Sequence, residues 1–224
     1  MNKSGKCGYP MGRSFSNRGR AVLQLRQFQG RVAILKNFQH SSKLFRYTCG
    51  AYMAHREVTA YRRLKGIDGV PRFLGRNRSD GLLLEYIEGH NCMEQHQISL
   101  PLDFFNRLQK VLNAIRNRGV LRGDIKRNVL ATPTGNPVIL DFGASFVIHW
   151  WLWPLRSMIL AIGAQYDNRE VVKIKQRIDP DLMTPTDIKL LSSELPFDDI
   201  VRLGEKLFSR LARWALRLDR GSVS

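Results

Sequence analysis

Residues 119–145 read GVLRGDIKRNVLATPTGNPVILDFGAS. Two short apolar runs, VLA at 129–131 and VIL at 138–140, are joined by the turn-prone segment TPTGNP. Apolar runs of this length around Pro, Gly and Asn predict a β-hairpin. Asp124 and Asn128 precede its first strand and Asp141 follows its second, so the hairpin would return all three to one end. Two carboxylates and an amide are hard oxygen donors, suited to Mg²⁺ and a phosphate ester.

Upstream, AVLQLRQF (21–28) and RVAILKNF (31–38) flank Gln29-Gly30 and predict another hairpin. On its second strand Val32, Ile34 and Lys36 share a face, and a lysine beside two aliphatic side chains needs an anionic partner or water. From about 51 to 65, Ala54, Val58, Tyr61 and Leu64 recur at helical spacing, with Glu57 mid-helix and Gly66, Gly69 and Pro71 as the stop. Residues 72–76 and 82–87 predict two more strands, and Glu88-Gly89 marks a crossing from a sheet unit to a helical one. Residues 101–118 predict a helix whose apolar face is Leu102, Phe105, Leu108, Leu112 and Ile115, capped by Gly119. Thr184-Pro185-Thr186-Asp187 has the form of an N-cap, an N1 proline and an acidic N3 residue.

The chain of 224 residues is long enough for one large or two small packed units, and 43% hydrophobic content excludes a wholly disordered chain. Its 36 basic against 19 acidic residues give a net charge of +17. Such a field attracts polyanions, whether nucleic acid, anionic lipid or phosphorylated glycan, without choosing among them. Cys7, Cys49 and Cys92 are odd in number and lack C-x-x-C spacing, which argues against a disulfide framework or a zinc ribbon and for a reducing cytoplasm. Residues 1–20 have no apolar core of the secretory kind and read as a mobile basic arm.

The order of strands, lysine strand, Glu-bearing helix, connector and acid-bearing hairpin resembles the protein-kinase superfamily over roughly residues 21–145. Lys36 in AILKNF is similar to the lysine of the V-A-I-K strand, Glu57 to its helix partner, Asp124 to the catalytic-loop aspartate, and Asp141 in DFG to the metal-binding aspartate. The resemblance implies an α+β, bilobal kinase-like fold, with a small N-lobe sheet plus one helix at 21–87 and a reduced, mainly helical C-lobe at 88–224. It implies a phosphotransferase using ATP and Mg²⁺ on a hydroxyl of a protein or a lipopolysaccharide-type sugar. Asp124 would orient the acceptor and take its proton, Lys126 would steady charge on the γ-phosphate, Lys36 would hold the α- and β-phosphates, and Asn128 and Asp141 would hold metal. The connector LLLEYIEGHN resembles the family's hinge, with Leu84 as gatekeeper, Ile34 over the adenine pocket, and the backbones of Glu85 and Ile87 as adenine partners.

Several residues depart from the commonest pattern. Asp124 and Asn128 enclose three residues where the family usually has four, which touches the second metal site. Arg122 and Gly123 replace the histidine and arginine of H-R-D; Gly123 is similar to the H-G-D loops of Rio-type, aminoglycoside and lipopolysaccharide-core kinases. No G-x-G-x-x-G lid and no A-P-E motif are evident. A pseudokinase scaffold that binds nucleotide or an anionic partner without catalysis is the alternative. Asp167 reads either as a buried acid bracing the catalytic loop or as a helix-start acid.

Residues 146–164, FVIHWWLWPLRSMILAIGA, are strongly apolar but interrupted by His149, Pro154 and Arg156, which predicts a core segment rather than a membrane span. Trp150, Trp151 and Trp153 with Arg156 would also suit a headgroup boundary. Arg202, Lys206, Arg210, Arg213, Arg217 and Arg220 form a basic stripe beside Leu203, Leu207, Leu211, Trp214 and Leu218. That is an amphipathic helix, either packed on the domain or attached to an anionic membrane face or phosphorylated glycan. The expected partner is therefore an anionic acceptor, with peripheral contact at the inner membrane face through the C-terminal helix, and nucleic acid less favoured.

Overall fold

Gln29 and Gly30 both adopt positive φ (50° and 75°) between strands β1 (Val22–Phe28) and β2 (Arg31–Asn37). Two such residues make the tight turn whose twist matches paired strands, and the register from Phe28↔Arg31 to Val22↔Asn37 follows. The computed structural model describes residues 22–37, 51–76, 81–93, 100–122, 125–193 and 195. The expected arm at 1–20 and the basic helix at 202–220 lie outside them, as do Gly123 and Asp124.

The free edge of β2 pairs antiparallel with β4 (Leu82–Glu85), and β3 (Phe73–Arg76) completes a four-stranded sheet in the order β1-β2-β4-β3. Helix α1 (Ala51–Arg63) forms as its spacing predicts, with Val58 and Tyr61 buried and Arg62 and Arg63 at the dipole-favoured C-terminus. The loop beyond it closes on the second half of the chain at Gly69. A Cβ there would stand 2.7 Å from Val111 Cγ2, and its φ of +85° also requires glycine. The Gly69 carbonyl accepts from Ile139 N at 2.8 Å.

Helix α2 (Leu102–Asn117) buries Phe104, Phe105, Leu108, Leu112 and Ile115. Leu102, expected on that face, is 50% exposed; the stripe starts at Phe104, because Leu102 lies in the first turn, beyond the layer it would pack on. The predicted acid-bearing hairpin is β7 (Val129–Ala131) with β8 (Pro137–Ile139), paired Val129↔Ile139, and β5 (His90–Asn91) adds a third strand beside β7. Strand β6 (Val120–Leu121) pairs with β9 (Phe146–Val147). Among the described residues two further α-helices follow, α3 (Arg156–Ile178) and α4 (Pro185–Ser192). Thr184 and Asp187 close the expected capping box on α4. The fold is mixed α+β, and a single core runs from Ala54 in α1 through Phe104, Ile115, Ile125 and Phe142 to Ile174 in α3. Cys92 is buried in that core, and burial pushes its thiol up to about 12.

Residues 146–164 do not form the expected core segment. Val147 and Ile148 are buried, but Trp150, Trp151 and Trp153 in the 3₁₀ turn Trp150–Leu155 are 83%, 62% and 68% exposed. That turn buries none of its own residues. No helix among the described residues is long and apolar enough to cross a membrane.

Asp167 is no helix-start acid: it lies well inside α3, buried, and accepts from Arg116 Nη1 at 2.7 Å. Burial is the dominant influence and lifts its carboxyl to about 6, against the pull of Arg116 and the Arg122 charge. The folded state thus binds its proton more tightly than the unfolded one. The stabilisation is complete below the unfolded value near 3.8 and is lost as pH rises through about 6. Asp167→Asn should flatten unfolding stability across that window by about 3 kcal/mol, read from urea midpoints at stepped pH. An unchanged pH profile would contradict this assignment.

Candidate functional site

Alternation along β2 puts Ile34 and Lys36 on one face, at 8% and 13% side-chain or residue exposure. The helical spacing of α1 turns Glu57 inward beside Val58 and Tyr61, and Glu57 is wholly buried. The Lys36 Nζ donates to Glu57 Oε1 and Oε2 at 2.8 and 2.9 Å. It also donates to Asp141 Oδ1 at 2.9 Å. Two carboxylates, from α1 and from the segment after β8, therefore meet at the one ammonium carried by β2.

Asp141 stands at φ 56°, a left-handed conformation that aspartate tolerates better than most residues. Three contacts hold it there. Gly143 N donates to its Oδ1 at 3.1 Å, and Arg122 Nη2 donates to its backbone carbonyl at 2.8 Å. The next residue, Phe142, is fully buried beneath the Arg122 guanidinium, 4.5 Å from the ring centroid, and meets the Tyr61 ring edge-on at 4.9 Å. The Phe142 N–H is also directed at the Glu57 carboxylate.

Burial disfavours the Lys36 ammonium, but the attraction of Glu57 and Asp141, and the hydrogen bonds to both, hold its pKa above the usual lysine value. Burial pushes the Glu57 carboxyl above its ordinary value; the Lys36 charge opposes this and the Asp141 charge adds to it. For Asp141, burial is outweighed by Lys36, by the Gly143 N–H and by Arg122, which bring its carboxyl down to about 2. Asp141 is therefore ionised at any pH where the protein would be assayed.

The structure brings together Lys36, Glu57 and Asp141, separated by 21 and 105 residues from the lysine. Asn128 sits beside the residue preceding Asp141, because Leu140 N donates to the Asn128 carbonyl at 2.8 Å. Ile34 and Leu84 face each other across β2 and β4, and each is 8% exposed. The Glu85 N–H is committed to the Arg72 carbonyl at 2.9 Å, and its carboxylate takes Arg72 Nη2 at 2.8 Å. Ile87 lies two residues beyond the end of β4. Lys126 lines a cavity of about 440 Å³ together with Asn91, Met93, Arg127 and Arg177.

Arg122 is the residue that sequence reasoning undervalued. In the sequence it stands where the family pattern has a histidine, yet it both anchors the Asp141 carbonyl and stacks on Phe142. Its place two residues before Asp124 was the available signal. Arg127 and Arg177 were likewise missed, and nothing in their spacing ties them together.

Among the described residues no three His, Cys, Asp or Glu side chains gather as a protein-only metal cage. Mg²⁺ usually takes one or two carboxylates and fills its remaining positions with water and substrate phosphates. Asp141 fits that requirement: it is ionised, its side chain is 49% exposed, and its described hydrogen bonds all fall on Oδ1, which leaves Oδ2 available.

No protein-family model matches the chain, and comparison with curated proteins finds no match.

Removing the ammonium would leave Glu57 as a buried charge without its cation, a loss of about 3–5 kcal/mol. Lys36→Met should therefore lower the urea midpoint strongly, and Lys36→Met with Glu57→Leu should recover much of the loss. A single variant as stable as the parent would mean that the pair is not buried as described.

Proposed function

We propose that this chain is a phosphotransferase of the protein-kinase-like type, which uses Mg²⁺-bound ATP and transfers the γ-phosphoryl group to a hydroxyl. The observation that carries the proposal is the convergence of the Glu57 and Asp141 carboxylates on the Lys36 ammonium, three groups from three separate elements. Phosphoryl transfer depends on positioning and charge neutralisation, and these groups supply both. In this reading the four-stranded sheet with α1 is the N-lobe, within 21–87, and the remainder, 88–224, is the C-lobe.

Lys36, aimed by Glu57, would hold the α- and β-phosphates. Ile34 and Leu84 would flank the adenine. Asp141 and Asn128 would hold the metal, which when bound neutralises charge on the phosphate oxygens. Asp124 would align the acceptor hydroxyl and accept its proton as the oxygen attacks the γ-phosphorus and the bond to ADP breaks. Lys126, two residues after that aspartate in the sequence, lines a cavity together with Arg127 and Arg177. Lys126, Arg127 and Arg177 make this a cationic recess, which favours an acceptor that already carries negative charge, such as a phosphorylated glycan or an acidic protein segment. A lipopolysaccharide-type sugar and a protein serine or threonine both remain within that class.

The alternative, a pseudokinase scaffold, draws support from the three-residue spacing of Asp124 and Asn128 and from the Glu85 N–H already committed to Arg72. Labelled ATP offered with lipopolysaccharide, generic protein and the chain itself separates the two readings. The parent should transfer label in a Mg²⁺-dependent manner, and Asp141→Ala should reduce transfer by roughly a hundredfold or more. Equal transfer by both proteins would end the phosphotransferase proposal. Mg²⁺-dependent thermal stabilisation by ATP without transfer to any acceptor would favour the scaffold.

A further inference from the structure

Among the described residues, a run of exposed apolar side chains follows β9, and the phosphotransferase reading makes no use of it. The 3₁₀ turn Trp150–Leu155 turns Trp150, Trp151, Trp153 and Leu155 to solvent, and Met158 at the start of α3 continues the patch. Monomeric proteins rarely display clustered indoles of this exposure unless something covers them. A tryptophan has an apolar body and one polar N–H, and the side chain is enriched where hydrocarbon meets headgroups.

The surroundings of the turn indicate what covers it. Residues 142–166, which contain the turn, have no aspartate or glutamate, and neither do 58–67 or 114–122, the stretches that carry Arg63, Asn117 and Arg118. Arginines hold the base of the turn through backbone carbonyls. Arg56 donates to Ser145 O, Arg63 to Ile148 O at 2.6 Å, and Arg156 to Asn117 O at 2.8 Å. Arg118 joins them by donating to Arg63 O at 3.2 Å. A guanidinium has five N–H donors, so each retains donors beyond the bond described. Arg156 also lies over the Trp153 ring, 5.1 Å from its centroid. Among the described residues, the indoles thus stand beside a cluster of arginines, and the stretch 142–166 that bears them carries no acid. An uncharged apolar partner would have no need of those arginines, and an anionic headgroup layer complements both parts.

We propose that the Trp150–Leu155 turn is a membrane-docking surface, which inserts its indoles at the interface of an anionic lipid bilayer while the surrounding arginines meet lipid phosphates. The turn lies on the surface of the bilayer and does not span it. This proposal stands apart from the catalytic reading and needs no nucleotide.

The test uses the full chain and vesicles of phosphatidylcholine with or without phosphatidylglycerol. The chain has four tryptophans, so in Trp214→Phe the only remaining indoles are those of the turn. Brominated acyl chains in the anionic vesicles should quench and blue-shift that emission. Trp150→Ala/Trp151→Ala/Trp153→Ala should weaken vesicle partitioning by roughly tenfold or more at an unchanged melting temperature. Should that triple variant fail to fold, the Trp214→Phe quenching decides alone. Vesicle binding without quenching would assign the contact to another part of the chain, such as residues 203–218, and overturn the proposal. Equal partitioning into neutral vesicles would overturn it as well. So would indoles shielded from acrylamide in the lipid-free protein, which would mean that the chain or a second copy already covers the turn.

Discussion

One ammonium, that of Lys36, lies between two carboxylates that would otherwise repel each other at close range. Without it, Glu57 would be a buried, uncompensated charge, and Asp141 would lose the contact that fixes its Oδ1. Each carboxylate belongs to a different part of the fold, so the position of β2 relative to α1 and relative to the segment after β8 is set at a single atom. The enclosing core makes that convergence possible: Tyr61 and Phe142 pack edge-on directly beneath it.

The geometry around Asp141 shows how a left-handed backbone is held by its neighbours rather than by its own preference. Arg122 restrains the carbonyl, Gly143 restrains the carboxylate and Phe142 is locked in the core. Arg122 does two jobs with one planar group, hydrogen bonding at its edge and stacking on its face, which an ammonium could not reproduce. Asp167 adds a negative charge behind this arrangement and is itself neutralised by Arg116 from α2.

Where local chemistry decides the outcome, the structure was legible beforehand. The Gln29-Gly30 turn, the TPTGNP turn, the burial of Ala54, Val58, Tyr61 and Leu64, and the Thr184 cap all depend on residues near one another in the chain. The meeting of Lys36, Glu57 and Asp141 was anticipated through a family likeness rather than through spacing, because no local rule joins residues 105 positions apart. Leu102 and the tryptophan turn were misjudged for a common reason. Hydropathy says that a side chain prefers burial, but not whether a second layer arrives to bury it. Arg122 was hidden because its role exists only once the hairpin folds back to bring the Asp141 carbonyl within reach.

The bond from Ile139 N to the Gly69 carbonyl has a mechanical effect. It ties the loop leaving α1 to the strand that leads into Asp141, and Val111 in α2 packs so closely on Gly69 that no side chain could be added there. Helix α1 and the acid-bearing hairpin are thereby clamped near a shared pivot. Any rocking of the helix that withdraws Glu57 must turn about that clamp, and it would pull the carboxylate away from a lysine whose strand is anchored by its pairing with β4.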